Sequence, residues 1–214
     1  MQQLLSLFLF PIGALLIWYI GRLMIRRDSN YKPKQITDNW NTYMVERYST
    51  GKKLLYKGNQ KIGEYHRFYQ LWWQHLVNEV VLGDGKWYMN LSFTLGGEKI
   101  KFLAQKNNFL KVNETWHIVQ NDHVIGKVKT DYSMKNALGI KEVLTLEVNN
   151  KEYYYRSLGI GSKTEVFLDN KVVAIGKRSD LLRYQYNFEI IEGYEELELI
   201  LMMTYILFNY VHKQ

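Results

Sequence analysis

The chain has 214 residues, no cysteine, 2 prolines and a formal net charge of +7. That length suits one domain with at most an appendage. The missing cysteine excludes disulfides, thiolate nucleophiles and thiolate zinc sites, and without a Ser/Gly-rich or single-charge run there is no long disordered linker.

The positive charge is local. Residues 22–61 hold ten Lys and Arg against three acids, whereas residues 62–214 hold 18 of each. A nucleic-acid binder spreads its cations over the folded surface as a stripe that follows the phosphates. A basic block directly behind an apolar N-terminus speaks against nucleic acid and for an anionic membrane surface.

From Leu4 to Gly21, "LLSLFLFPIGALLIWYIG", there are 18 residues without a charge. As a helix they reach about 27 Å, and a snorkelling Arg22 extends this towards the ~30 Å of a bilayer core. Trp18 and Tyr19 suit the headgroup layer at one end, and Pro11 is tolerated in a membrane helix. "MQQ" lacks the basic residues, and "YIGRLM" the small residues, of a cleaved leader. The expectation is a retained transmembrane helix over 1–26. Lys and Arg follow the span and none precede it, which places the N-terminus outside and the rest in the cytoplasm as a single-pass protein of the cell membrane. Residues 27–39 then read as a basic juxtamembrane linker, and 40–214 as the folded domain.

Arg26, Arg27, Lys32, Lys34, Lys52, Lys53 and Lys57 are the candidate lipid-headgroup residues, each near-surface cation contributing ~1 kcal/mol. Those nearest the span, with Arg22, also set topology. Further on, "EYHRFYQLWWQHLVNEVV" places Tyr65, Phe68, Tyr69, Trp72, Trp73, Leu76, Val77 and Val80 at i, i+3, i+4, i+7, which predicts an amphipathic helix over 65–81. Its stripe either packs on the domain or lies in the membrane interface. Tyr65, Phe68, Trp72 and Trp73 are therefore the candidate membrane or partner interface.

From Asn90 to Ile191 short β-branched and aromatic runs alternate with turn pairs. Gly96-Gly97, Asn121-Asp122, Asn149-Asn150 and Asp169-Asn170 each separate two such runs, as tight hairpins require. With "NTYMVERY", "KLLYK" and "RYQYNFEII" about a dozen strands result, too many for one open sheet, so a barrel or two packed sheets is expected. One element recurs: "KGNQKIGE", "QNDHVIGK" and "LDNKVVAIGK" share a polar turn, a short apolar strand, then Ile-Gly and a charge. Each glycine marks a bulge or a close backbone approach; no phosphate-binding glycine motif is present.

The last segment follows Glu192, Glu195, Glu196 and Glu198 and precedes His212 and Lys213. Only 13 residues separate Glu198 from His212, about 20 Å of helix against the ~30 Å of a bilayer core, so the segment reads as swallowed by the domain, with a second span and two-span topology as the alternative. Leu199 to Phe208 is apolar all round except at Thr204, which belongs in the middle of a core. The acids at one end and the cations at the other suit the helix dipole.

"NDHVIGKV", "DNKVVAIGK" and the terminal "EELELILMMTYILF" resemble the tubby C-terminal-like superfamily, which includes the phospholipid scramblase and LURP-one-related groups. The resemblance spans about residues 40–212. It implies a mainly β fold with α, an about 12-stranded closed β-barrel around a buried C-terminal apolar helix. It also implies a role at membranes through phosphoinositide binding or lipid-linked signalling. No ligand residue carries over, and the cysteine-rich segment of scramblases is missing.

The five histidines show no ligand spacing, and no nucleophile motif appears. The expectation is a non-enzymatic protein without metal or cofactor. Its partner is an anionic phospholipid membrane or, alternatively, a membrane protein bound by an adaptor module. Richness in Tyr, Lys and Asn points to a bacterium.

Overall fold

The computed structural model describes residues 2–33, 38–44, 50–77, 88–105, 114–130, 142–158, 163–179 and 184–212, apart from the side chains of 2–11, 13, 14, 17, 18, 76 and 142. Twelve strands form a closed barrel: β1 (Trp40–Tyr43), β2 (Lys53–Lys57), β3 (Gln60–Phe68), β4 (Asn90–Leu95), β5 (Glu98–Ala104), β6 (Thr115–Gln120), β7 (His123–Thr130), β8 (Glu142–Val148), β9 (Lys151–Ser157), β10 (Thr164–Leu168), β11 (Lys171–Arg178) and β12 (Gln185–Ile190). Each strand pairs antiparallel with its neighbours in sequence, and β1 closes the circle on β12 through Trp40↔Phe188.

The turn pairs work as their sequences require. Asn121, Asp122, Asn149, Asn150, Asp169 and Asn170 all have φ between 49° and 64°, the left-handed conformation of two-residue hairpin turns. The three Ile-Gly repeats fall on hairpins β2–β3, β6–β7 and β10–β11, and each has a register shift, at Leu55/Tyr56, Ile118/Val119 and Val166/Phe167. The unpaired residue is Ile62, Ile125 or Val173, in each case the third after the turn. The glycines themselves serve close approach. A Cβ on Gly63 would lie 2.3 Å from the Thr94 carbonyl oxygen, and one on Gly126 would lie 3.0 Å from that of Glu147.

Eight strands already leave a barrel interior just wide enough for side chains to fill. Twelve leave room for a helix, and here the last one supplies it. Helix α3 (Glu198–His212; α1 and α2 are given below) has every residue from Leu201 to His212 buried. The wall turns Leu55, Phe93, Phe102, Trp116, Leu146, Tyr155 and Phe188 inwards onto it. Tyr155 donates its hydroxyl to the Leu201 carbonyl at 2.8 Å, and Phe188 stacks on Tyr205 at 4.9 Å. The swallowed terminal helix is thus the core of the molecule.

Two expectations need correction. Residues 65–68 are not helical: they complete β3, and helix appears only at α2 (Trp72–Leu76); residues 78–81 lie outside the described residues. The cause is an inverted strand pattern, since Arg67 is buried while Phe68 is only half-buried, so the alternation of apolar-in and polar-out disappears. The helix α1 (Gln2–Ser29) is one element of 28 residues that runs past residue 26 to the barrel, so 27–29 are helix and not linker. Among the described residues no helix is long and apolar enough to cross a membrane; most side chains of 4–21 lie outside those residues.

Candidate functional site

The barrel has two unlike ends. One carries the five tight turns that join β2–β3, β4–β5, β6–β7, β8–β9 and β10–β11, and receives the N-terminus of α3. The other carries the longer connections, α2, and the C-terminus of α3. These are the turn end and the loop end.

Helix α1 meets the loop end. Asp28, 1% exposed, places its carboxylate 3.5 Å from the ammonium of Lys53, which is fully buried at the start of β2. Around this pair, Arg27 donates to the Tyr43 hydroxyl at 3.3 Å and Ser29 to the Lys52 carbonyl at 3.2 Å. Tyr31 stacks on Tyr43 with ring centres 4.8 Å apart, and its carbonyl accepts from the Tyr56 hydroxyl at 2.9 Å. Burial, with the neighbouring Tyr56 and Tyr43, pushes the Tyr31 phenol up to about 12. The stretch read as a basic juxtamembrane linker is therefore docked on β1 and β2 along its first residues.

Inside, the joint continues into the core. Tyr65 faces Lys53 across the β2–β3 ladder and shares a hydrogen bond of 2.9 Å with Thr42. Desolvation raises its pKa well above the usual phenol range, and Tyr210 at the far end of α3, Asp28 and Tyr186 reinforce that shift. The Asp28–Lys53 pair and the Thr42–Tyr65 hydrogen bond thus lie on neighbouring positions of β1, β2 and β3.

The predicted headgroup cations separate. Arg26, Arg27 and Lys32 are exposed at or just beyond the end of α1. Lys52 is exposed nearby but pairs with Glu64 at 2.5 Å, and that hydrogen bond lowers the Glu64 pKa. Lys53 is withdrawn from any headgroup, because its charge is spent on Asp28 inside the fold. Lys57 sits at the turn end, paired with Glu198 at 2.6 Å beside Trp40, whose indole N–H donates to the same carboxylate at 3.3 Å. It fastens the N-terminus of α3. Lys34 lies outside the described residues.

The predicted aromatic interface separates likewise. Tyr65 points into the core and is fully buried, so it is no interface residue, and Phe68 is half-buried at the end of β3. Trp72 and Trp73 remain, 82% and 39% exposed, joined by Leu71 at 48%. Because β3 ends at the loop end, this corner stands at the same end as α1. Sequence reasoning missed Asp28, Tyr31 and Leu71. The one signal for Asp28 was an acid standing alone among Arg22, Arg26, Arg27, Lys32 and Lys34.

A shallow open depression of about 200 Å³ lies on the outer wall between Lys99, Lys101, Val119, Asn121 and Asp122. Among the described residues no group of His, Asp or Glu could hold a metal ion. The family profile described as the Tubby C-terminal like domain matches residues 42–211, more than half of the chain. The chain belongs to the tubby C-terminal-like family. Its match runs from β1 through α3 and leaves α1 outside. No curated protein matches the tubby-like chain, and no solved structure does.

Proposed function

We propose that this tubby-like protein is a non-enzymatic module tethered to the membrane by α1, with the loop end of its barrel working at an anionic lipid surface. The observation that carries this reading is the docking of α1 by its last turns onto the loop end, through the buried Asp28–Lys53 pair. An uncharged run of 18 residues, Leu4 to Gly21, precedes that joint within the same helix. A helix of 28 residues is about 42 Å long, enough to cross a bilayer core and still reach the barrel. Arg26, Arg27 and Lys32 then lie at headgroup level, where anionic lipid attracts each of them. The Lys and Arg asymmetry puts the barrel in the cytoplasm.

The test starts with alkaline extraction of membranes from cells that express the full chain, where the protein is expected to stay in the pellet. A single cysteine at Asn121, on an exposed turn, is expected to resist a membrane-impermeant thiol reagent until lysis. Reconstituted protein should transfer tryptophan fluorescence more strongly to pyrene-labelled phosphatidylglycerol than to the phosphatidylcholine analogue. Salt, or replacement of Arg26, Arg27 and Lys32 by glutamine, should remove that preference. Equal transfer to both lipids would instead favour an adaptor that holds a membrane protein through its exposed aromatic corner.

A further inference from the structure

The corner Leu71–Trp72–Trp73 is built to be rigid and yet left bare. The Gln74 side chain, 2% exposed, turns back so that its carbonyl oxygen accepts from the backbone N–H groups of Gln70 at 3.0 Å and Leu71 at 3.1 Å. Trp73 sets its edge on the Tyr88 ring at 5.4 Å, and Tyr69 stacks on His75 at 4.9 Å. These contacts fix the corner from below. Trp72 nevertheless stands 82% exposed above it, the most exposed of the large apolar side chains described.

Position supplies the occupant. Lys53, which binds Asp28 of α1, faces Tyr65 across the ladder, and β3 runs only three residues further before the corner begins. Helix α1 and the corner therefore leave the barrel at the same end from adjacent strands. Arg26, Arg27 and Lys32 are exposed beside α1's last turn, and their charge complements an anionic leaflet. Indole rings favour the headgroup layer, where the ring is dry and its N–H stays wet.

We propose that Leu71, Trp72 and Trp73 form a wedge that seats in the headgroup layer of the leaflet from which α1 emerges, a second attachment that holds the barrel loop end down. The wedge rests on the reading of α1 as a bilayer-crossing tether. The buried joint keeps the corner within reach of that leaflet, so its insertion is an intramolecular event and a small apolar area suffices.

Because the chain has no cysteine, three single-cysteine variants of the full protein test the wedge: Ile12→Cys in the tether, Trp72→Cys in the corner and Val124→Cys on the β6–β7 hairpin. Val124 is 61% exposed at the turn end. Each carries an environment-sensitive dye in phosphatidylglycerol-containing liposomes doped with nitroxide lipids labelled at the headgroup or deep in the tail. The expected pattern is tail-level quenching at position 12, headgroup-level quenching with a blue shift at 72, and an aqueous, unquenched dye at 124. Tail quenching at 12 with an aqueous dye at 72 overturns the wedge and leaves the tether standing. A dry dye at 72 that neither nitroxide quenches shows a protein covering the corner, and also overturns it. An aqueous dye at 12 removes the tether, and the wedge with it. Without a label, and in a Trp18→Phe background that removes the tether's own tryptophan, Trp72→Phe combined with Trp73→Phe is expected to remove most of the quenching that brominated lipids exert on the remaining tryptophans; unchanged quenching overturns the wedge.

Discussion

At Gly176 the barrel wall and the central helix touch with nothing between them. A Cβ at that position would lie 2.2 Å from Cε2 of Tyr205 and 2.5 Å from its Cζ, and Tyr205 is itself held by stacking on Phe188. The neighbour is a packed ring, so it cannot step aside cheaply. Gly176→Ala is therefore expected to cost at least about 1–3 kcal/mol by overpacking, measured as a drop in the midpoint of denaturant unfolding. The double variant Gly176→Ala/Tyr205→Leu should recover part of that loss, with a coupling larger than distant pairs show. Additive effects would mean that the ring is not what the glycine accommodates. By contrast, Gly96 and Gly97 have open space where a Cβ would stand; their need for glycine comes from positive φ at the turn.

Among elements, α3 was legible because nothing about it is one-sided. A short helix apolar on every face has no surface on which to meet water, and the barrel surrounds it over the whole of Leu201 to His212. Leu207→Ala is expected to cost about 2–5 kcal/mol, as buried leucines do, whereas Trp72→Ala on the exposed corner should leave the unfolding midpoint almost unchanged. Comparable losses at both would contradict the burial described. The hairpins were legible through their turn pairs, and the three recurring Ile-Gly elements through their spacing from the turn. What misled was β3. It buries Arg67 and leaves Phe68 half-buried, so polar and apolar side chains do not alternate between outside and inside. The spacing of its aromatics with Trp72 and Leu76 then fitted a helix better than a strand. The candidate site was legible only in outline. Charge density located Arg26, Arg27 and Lys32, but could not tell that Lys53 turns inwards to Asp28 or that Lys57 belongs to the opposite end. A strand of five residues carries its first and last side chains to different ends of a barrel, and proximity in sequence hides that.

On the scale of the whole molecule, α1 and the barrel are joined by a buried charge pair and by the Tyr31–Tyr43–Tyr56 cluster. They are expected to move as one body. Spin labels at Leu23→Cys on α1 and Val124→Cys on the turn end should give a narrow distance distribution in the otherwise unaltered chain. Asp28→Asn leaves Lys53 as a buried charge without its carboxylate, a loss of about 3–5 kcal/mol, and should broaden that distribution. Asp28→Leu combined with Lys53→Met, which replaces the pair by apolar groups, should narrow it again. A broad distribution in the parent would mean that the joint is a hinge.

The order of elements along the chain also governs when the protein can fold as it is made. Strands β1 to β12 leave the ribosome ahead of α3, but β1 must wait for β12 before the circle closes, and the circle has no filling until α3 follows. Until residue 212 has cleared the exit tunnel, the inward faces of twelve strands have only one another to cover them. Local hairpins can form during synthesis, since their turns need no distant partner. The core itself forms only once α3 has emerged, and an arrested chain that ends before Glu198 is expected to recruit chaperones where one that includes α3 does not.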